Sequence, residues 1–595
     1  MKAMKKVLSL ILALLMLTAL FSGCASSAAP ASSSSVTSAS SAASASGTSS
    51  ASGTSGASSA AASSGDWSGD MNDLYTIDIL CDNPALEYSV DSTIGKYIAE
   101  KFGVAFHYVA YSGGLQEKQA LMLAGGDYND MQAMQGTTIG KKYIESGHLL
   151  NLDNYKDILP DFYERFQEQI PVWRSYSTDG GLYTWDYQCP NDNPDAQSHF
   201  DIMIRSDVLE HYNWPDLRTA SDYVKFLSQA VKDFPTTYDG QSTVGLTVPL
   251  AESWGLQGVL GIGYEKGDEW LGSNDHYVYS LKDNKYVEYV ESPIIKESFK
   301  FFNDLYTAGA LDEECFTDTA DMTAAKMSDG RPIAVWYMSW QNAAANKALT
   351  AAGHTEMSYI QMPFQLDSQA ASGQGRVCPI SLTNEFYMFG LTDKCKNPER
   401  VLKLINWCCT EEGQLLLQSG IEGVHYTVEN GTRVTTALRD QTASDSKLAA
   451  KEGLAMLRGL PLCLTLAKDG QPYDLTSAQT YKDAKTLNDR QRAAYTAMGW
   501  SNSNDWWTKN YKFIDKNPYL SSCSPDANSD LGKTAAKMVE CRLKYSANLI
   551  TTDSFDSVWS DMMSEYDKLD HAAVIDYMNQ KMTELQASGS TASSK

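Results

Sequence analysis

Basic residues are scarce in this chain: 48 Lys and Arg face 73 Asp and Glu, a formal net charge of -25. A surface of that sign repels phosphate backbones and anionic headgroups, so nucleic acid is excluded as a partner and charge cannot hold the protein to a membrane. No C-x-x-C pair occurs among the 11 cysteines, which removes the basis for a zinc ribbon or a thioredoxin-like redox site. H-E-x-x-H, G-x-S-x-G, a P-loop and G-x-G-x-x-G at a strand-to-helix turn are also missing; Gly261-Ile262-Gly263 lacks the third glycine and its context. Neither cofactor nor metal nor catalytic residues are therefore expected. Paired carboxylates for glycoside cleavage stay open, because 73 acidic residues always offer pairs. After residue 23 there is no internal repeat and no apolar run of the roughly 20 residues that a spanning helix needs.

Before residue 23 the pattern is different. Met1–Lys6 is basic, and Val7–Phe21 is apolar but too short to span a bilayer, which reads as a signal peptide over 1–23. The tetrapeptide Phe21-Ser22-Gly23-Cys24 that follows resembles the lipobox of bacterial lipoproteins, with Phe21 bulkier than the usual occupant. The resemblance implies that Cys24 carries the diacylglyceryl (palmitate-type) anchor and becomes the mature N-terminus. From Ala25 to Gly65 there is no charged residue and one proline, among Ser, Ala, Gly and Thr. Such a segment cannot bury enough apolar surface to fold, so 24–70 is expected to be a disordered tether spanning about 35 Å on average.

The roughly 530 residues that remain exceed what one hydrophobic core holds and suit two large lobes. Leu74–Cys81 alternates as a strand does, with Tyr75, Ile77, Ile79 and Cys81 on one side. Asp91 is placed to cap a helix with apolar positions Ile94, Tyr97, Ile98 and Phe102, closed by Gly103. Val104–Ala110, Leu115–Ala124 and Met131–Gln135 continue as strand, helix and strand. This alternation predicts a mostly parallel sheet flanked by helices, with ligands bound outside the carboxyl ends of its strands. The loop-like stretch 188–198 predicts a crossing into a second lobe that opens with a strand at Asp201–Arg205. Thr219 and Asp222 form a capping-box pattern before the stripe Tyr223, Phe226, Leu227, Ala230, Val231 and Phe234. Asn397 and Pro398 read as the start of another amphipathic helix, and Phe555–Leu585 as helical. Cys81 and Cys408 sit in apolar surroundings, where cysteines are more often free, buried thiols than disulfides.

Four stretches read together resemble the extracellular solute-binding lipoproteins of carbohydrate ABC importers (family 1), in particular their long Gram-positive branch. They are Leu121–Asp130, Ile204–Leu209, Leu305–Leu311 leading to Gly330–Trp336, and Gly420-Ile421-Glu422-Gly423-Val424-His425-Tyr426, the most specific of the four. The resemblance implies an α/β, two-lobe (type II) clamp of the periplasmic-binding-protein kind. Its N-lobe would comprise 71–190 and 380–450 and its C-lobe 191–379 and 451–585, with a disordered tail at 586–595. It further implies a monomer, held by lipid at the extracellular face of the cell membrane, that hands an oligosaccharide to an ABC permease and catalyses nothing. Long members often carry an Asp/Asn-rich calcium loop after the helix that ends here at Phe234. This chain reads Pro235-Thr236-Thr237-Tyr238-Asp239-Gly240, too poor in oxygen ligands for calcium.

A neutral sugar presents C–H faces and a rim of hydroxyls, so its site needs aromatic planes edged by polar side chains. The chain has 13 Trp and 33 Tyr to draw on. Trp254 follows a strand and precedes a glycine-rich segment, where related sugar binders present a stacking ring. Trp340 follows the strand Ile333–Tyr337, where the maltose-binding members of the family present a tryptophan. Trp185, Asp186 and Tyr187 precede the first crossing, Gln135 and Thr137 end the third strand, and Tyr88 follows the first. These eight are the expected ligand-binding residues. A peptide or other non-sugar ligand, or a surface-anchored polysaccharide-degrading enzyme, are the alternative readings.

Overall fold

The computed structural model describes residues 67–80, 86–110, 115–134, 137–187, 202–252, 255, 269–271, 277–280, 283–288, 293–336, 338–373, 377–380, 382–383, 388–454, 457–505, 512–515 and 517–592. Its framework is two sheets. Strands β1 (Tyr75–Leu80), β2 (Val104–Val109), β3 (Met131–Met134) and β4 (Trp185–Asp186) belong to the first. Strands β5 (Ile202–Arg205), β6 (Val244–Thr247), β7 (Pro332–Trp336) and β8 (Tyr359–Met362) form the second. The chain then returns to the first sheet as β9 (Met388–Leu391). The orders are β2-β1-β3-β9-β4 and β8-β5-β7-β6.

The helices form as the sequence leads one to expect, with two changes at their starts. Gly103 takes the left-handed conformation (φ 63°) and ends the helix Thr93–Phe102, as its lack of a Cβ permits. At the other end Ser92, not Asp91, is the cap: its hydroxyl accepts from the Gly95 N–H at 2.9 Å, while Asp91 closes a preceding 3-10 turn. Thr219 and Asp222 make both halves of the capping box on Ala220–Asp233. Asn397 precedes Pro398 as expected but makes no side-chain cap bond. Phe555–Leu585 is two helices, Phe555–Tyr566 and His571–Ala592, and the second runs on through the tail expected to be disordered from 586, where no proline stops it.

In the first sheet β1 is parallel to β2 and β3, whereas β9 runs against both β3 and β4. In the second, β6 and β7 are parallel and β5 runs against β7 and β8. The one reversed strand of each sheet, β9 or β5, is the strand that follows directly on a passage from the other sheet. A strand that enters at the edge where its neighbours end must run against them, so both passages meet the carboxyl edges.

Each sheet has its own apolar core. Ile77, Ile79, Phe106, Met131, Phe389 and Ile405 are buried around the first, together with Leu454, Leu457, Leu460, Leu462 and Cys463. Around the second, Ile202, Ile204, Trp336 and Ile360 face a large cluster that reaches the C-terminal helices through Met538, Met562 and Met578. Met203, Val335 and Tyr359, on the alternate positions, face a smaller one with Met327 and Leu349. Tyr519 packs against both principal cores. Cys315, Cys395, Cys408, Cys409 and Cys541 are free, buried thiols, and Cys463 and Cys523 are buried as well.

Candidate functional site

Of the expected ligand residues, Thr137, Trp185, Asp186 and Tyr187 lie at the carboxyl edge of the first sheet and Trp340 at that of the second. On the first sheet Met388 pairs with both Met134 and Asp186, so the segment after β3 and the segment after β4 leave side by side. That brings Tyr187 to the same edge as the helix Thr137–Glu145, which Thr137 opens. On the second sheet Thr247 pairs with Val335, so the segments leading toward positions 254 and 340 leave neighbouring parallel strands. Gln135, Trp254 and Cys24 themselves lie outside the described residues.

Trp340 is 53% exposed, on the 3-10 turn Ser339–Gln341. Met338 anchors that turn from below, buried with Met203 and Val335. Four residues earlier Trp336 is fully buried, in edge contact with Phe364 at 5.0 Å between ring centroids. Two tryptophans of one strand and its exit thus divide, the first packing the core and the second facing out.

The three residues before the first passage are buried. Trp185 donates from Nε1 to the Gly459 carbonyl at 2.9 Å, and the Tyr187 carbonyl accepts from the Leu462 N–H at 2.8 Å. The segment around Gly459 therefore lies along β4. Arg458 sets its guanidinium 5.2 Å from the Tyr187 ring centroid, a partly exposed cation at this edge that no sequence pattern announced, since the two lie far apart in the chain. Tyr88 lies elsewhere: it bridges to His107 beside the outer strand β2, its ring stacked on the imidazole at 4.7 Å. His107 Nδ1 is in turn 2.8 Å from Asp78. On the helix opened by Thr137, burial, and secondarily Lys581, holds the Lys141 ammonium below its ordinary pKa.

Similarity to known proteins enters at the level of the whole fold. No family model and no curated protein matches the chain. Solved structures do. The alginate-binding protein AlgQ2 superposes with a TM-score of 0.58 at 16% identity, over 86% of this chain and 98% of that one. FusA of S. pneumoniae, an ABC-transporter substrate-binding protein in complex with kestose, gives 0.59 at 16% identity, over 86% and 100%. The N-glycan transport solute-binding protein NgtS of Streptococcus pneumoniae gives 0.54 at 13% identity, over 86% and 98%. The chain has the fold of the ABC-transporter solute-binding proteins.

Within that fold, the motifs that carried the resemblance serve structure. Arg205 forms a two-pronged pair with Asp207 and donates to the Gly330 carbonyl at 2.8 Å, tying the end of β5 to the turn before β7. His425 is buried; its Nδ1 accepts from the Ile421 N–H at 3.0 Å, which leaves Nε2 to donate to Glu452 at 3.3 Å. Burial keeps this imidazole below its ordinary pKa, against the pull of Glu452. Gly420 (φ 92°) has no alternative, since a Cβ there would lie 2.5 Å from His425 Nδ1. The loop after Phe234 spends its oxygens on itself: the Asp239 carboxylate accepts from the Thr237 hydroxyl and from Gln241 Nε2. Among the described residues no group of three or more His, Cys, Asp and Glu is arranged to hold a metal, and no helix is long and apolar enough to cross a membrane.

Proposed function

We propose that this protein is an extracellular substrate-binding protein that captures an oligosaccharide between two lobes and delivers it to an ABC importer permease, without catalysis. The observation that carries the reading is the solute-binding-protein fold with an exposed tryptophan, Trp340, at a carboxyl edge where a passage between the sheets begins. The three neighbours named above are described by alginate binding, a kestose complex and N-glycan transport, and none of these three is described as an enzyme. Trp340 and Trp254, on segments leaving adjacent parallel strands, are assigned as stacking platforms. Gln135, Thr137 and Arg458 supply polar contacts from the facing edge, and Trp185, Asp186 and Tyr187 brace it from below. Tyr88, stacked on His107, is assigned to the margin of the site.

The lobes are proposed as 71–190 with the chain from 380 to Leu475, and 191–379 with the chain beyond. Leu454, Leu457, Leu460, Leu462 and Cys463 sit in the first core, Tyr473 donates to Glu411 at 2.5 Å, and Asp474 pairs with Arg439 at 2.6 Å, which supports drawing the second boundary past 450. Cys24 lipidation and the uncharged tether hold this monomer at the extracellular face of the membrane. Incubating the full chain with glycans, peptides and amino acids, then measuring melting temperature and recovering each compound by mass spectrometry, tests the assignment. An oligosaccharide that raises the melting temperature and is recovered intact supports it; cleavage of the glycan indicates an enzyme, and stabilisation by peptides alone a different ligand.

A further inference from the structure

Lys326 is a buried lysine with three carboxylates around its ammonium: Asp312 Oδ2 at 2.8 Å, Glu314 Oε2 at 2.8 Å and Asp318 Oδ2 at 2.5 Å. Asp312 and Asp318 are themselves buried, and Asp312 Oδ2 also accepts from the Thr247 hydroxyl at 2.9 Å. Glu314 is shared with Arg331 at 3.0 Å. The three acids outnumber the two bases, and the second oxygen of Asp318 is buried without a hydrogen-bond partner. Burial opposes charge on Lys326, yet hydrogen bonds to Asp312, Asp318 and Glu314 outweigh it and raise its pKa.

The segment wound around this ammonium is the one that holds the exit of β6. Leu246 N–H donates to the Ala310 carbonyl, Leu250 N–H to Cys315 and Ala251 N–H to Asp318, while Glu252 Oε1 accepts from the Ala320 N–H. Gly255 turns back on the same loop, its N–H donating to the Glu252 carbonyl and its Cα so close that a Cβ would lie 2.0 Å from the Pro249 carbonyl oxygen. Every described residue from Leu250 to Glu252 is thus fastened to 310–320 or closed by Gly255, and 310–320 converges on one cation.

We propose that Lys326 is a positioning residue: its ammonium stands where a hard metal cation could stand, and fixes the exit of β6 over 248–252, the stretch that leads toward position 254. In the wild type no group of acids among the described residues is arranged to hold a metal, and Lys326 supplies the positive charge itself; with the ammonium removed, carboxylate oxygens left 2.5–2.8 Å from one point, close to the 2.3–2.6 Å that calcium takes, should admit calcium, with waters completing its shell of oxygens. The role in ligand binding rests on the oligosaccharide reading; the structural claim does not.

The test is hydrogen exchange by mass spectrometry on the full-length Lys326→Ala variant, with calcium as the probe. Peptides covering 248–252 should exchange at least about tenfold faster than in the wild type, and millimolar Ca²⁺ should restore protection in the variant and leave the wild type unmoved. Arg433→Met, which breaks the buried pair with Asp469 in the first sheet's territory, should leave 248–252 unchanged. Recovery of Lys326→Ala only when Ca²⁺ is present during folding is the same result in stronger form. Should it fold under neither condition, Lys326→Arg, whose planar fork spreads its donors over a wider frame than one ammonium and so cannot stand at the single point on which the three oxygens converge, must show the faster exchange at 248–252. Unchanged exchange in the variant that folds, or no reversal by Ca²⁺ in Lys326→Ala, overturns the proposal. A wild type that binds no glycan would remove the oligosaccharide reading while leaving this result standing.

Discussion

Replacing Trp340 and Trp185 one at a time by Ala separates a surface that waits for ligand from one already used in the core. Trp340 leaves 53% of its area open. A tryptophan has about 250 Å² to bury, so about 130 Å² remains to be covered, and at about 25 cal/mol per Å² full cover by a sugar face is worth about 3 kcal/mol. A sugar ring covers part of that, so Trp340→Ala should weaken binding by about 1–3 kcal/mol, a rise of about 5- to 150-fold in Kd. The melting temperature without glycan should fall far less than in Trp185→Ala, because half of the Trp340 side chain is already open to solvent. Trp185 is fully buried and donates to the Gly459 carbonyl. Its truncation leaves a cavity and an unpaired carbonyl, at a cost of about 3–5 kcal/mol to the fold. Melting curves of the free proteins and calorimetric titration with the glycan that stabilises the wild type give both quantities. If Trp340→Ala melts as early as Trp185→Ala and binds with unchanged Kd, Trp340 is a packing residue and the stacking argument is wrong.

Three further outcomes follow from particular contacts. His425 is held neutral by burial below its ordinary pKa of about 6.5, so the unfolded chain takes up a proton there that the folded one refuses. Its contribution is therefore complete above about pH 6.5 and is lost as pH falls below it; melting temperature against pH from 7.5 to 5 should fall less steeply in His425→Gln than in the wild type, and equal slopes would count against it. Gly103→Ala forces a non-glycine residue to φ 63° and places its Cβ 2.2 Å from the ring of Trp67, so it should cost about 1–3 kcal/mol by chemical denaturation; a neutral result would mean that Trp67 does not pack there. Cys24→Ser should leave the protein unlipidated and move it from the membrane fraction to the medium, and a wild type already soluble with another N-terminus would contradict the anchor.

What could be read from the sequence was local. Gly103 and the Thr219–Asp222 box were legible because a left-handed cap and a reciprocal hydrogen bond depend on residues within one turn. Even there Asp91 and Ser92 compete as neighbouring caps, and geometry alone decides for Ser92. The place of β9 between β3 and β4 was not legible, because it depends on a pairing between residues more than 200 positions apart. The same holds for Leu454, Leu457, Leu460 and Leu462, whose apolar character says nothing about which of two cores receives them. Trp336 and Trp340 look alike in sequence; strand alternation puts the first under the sheet, and a 3-10 turn lets the second face out. The Gly420–Tyr426 signature named a resemblance but not a role, and its histidine proves to be a buried strut.

The most direct test of the clamp is small-angle X-ray scattering of the full-length protein, free and saturated with the glycan that raises its melting temperature. At about 100 times the dissociation constant the ligand also stabilises the folded state by about 2.7 kcal/mol, so saturation can be verified in the same sample. Closure of two lobes on an oligosaccharide predicts a smaller radius of gyration in the saturated sample. An unchanged radius at verified saturation would contradict it.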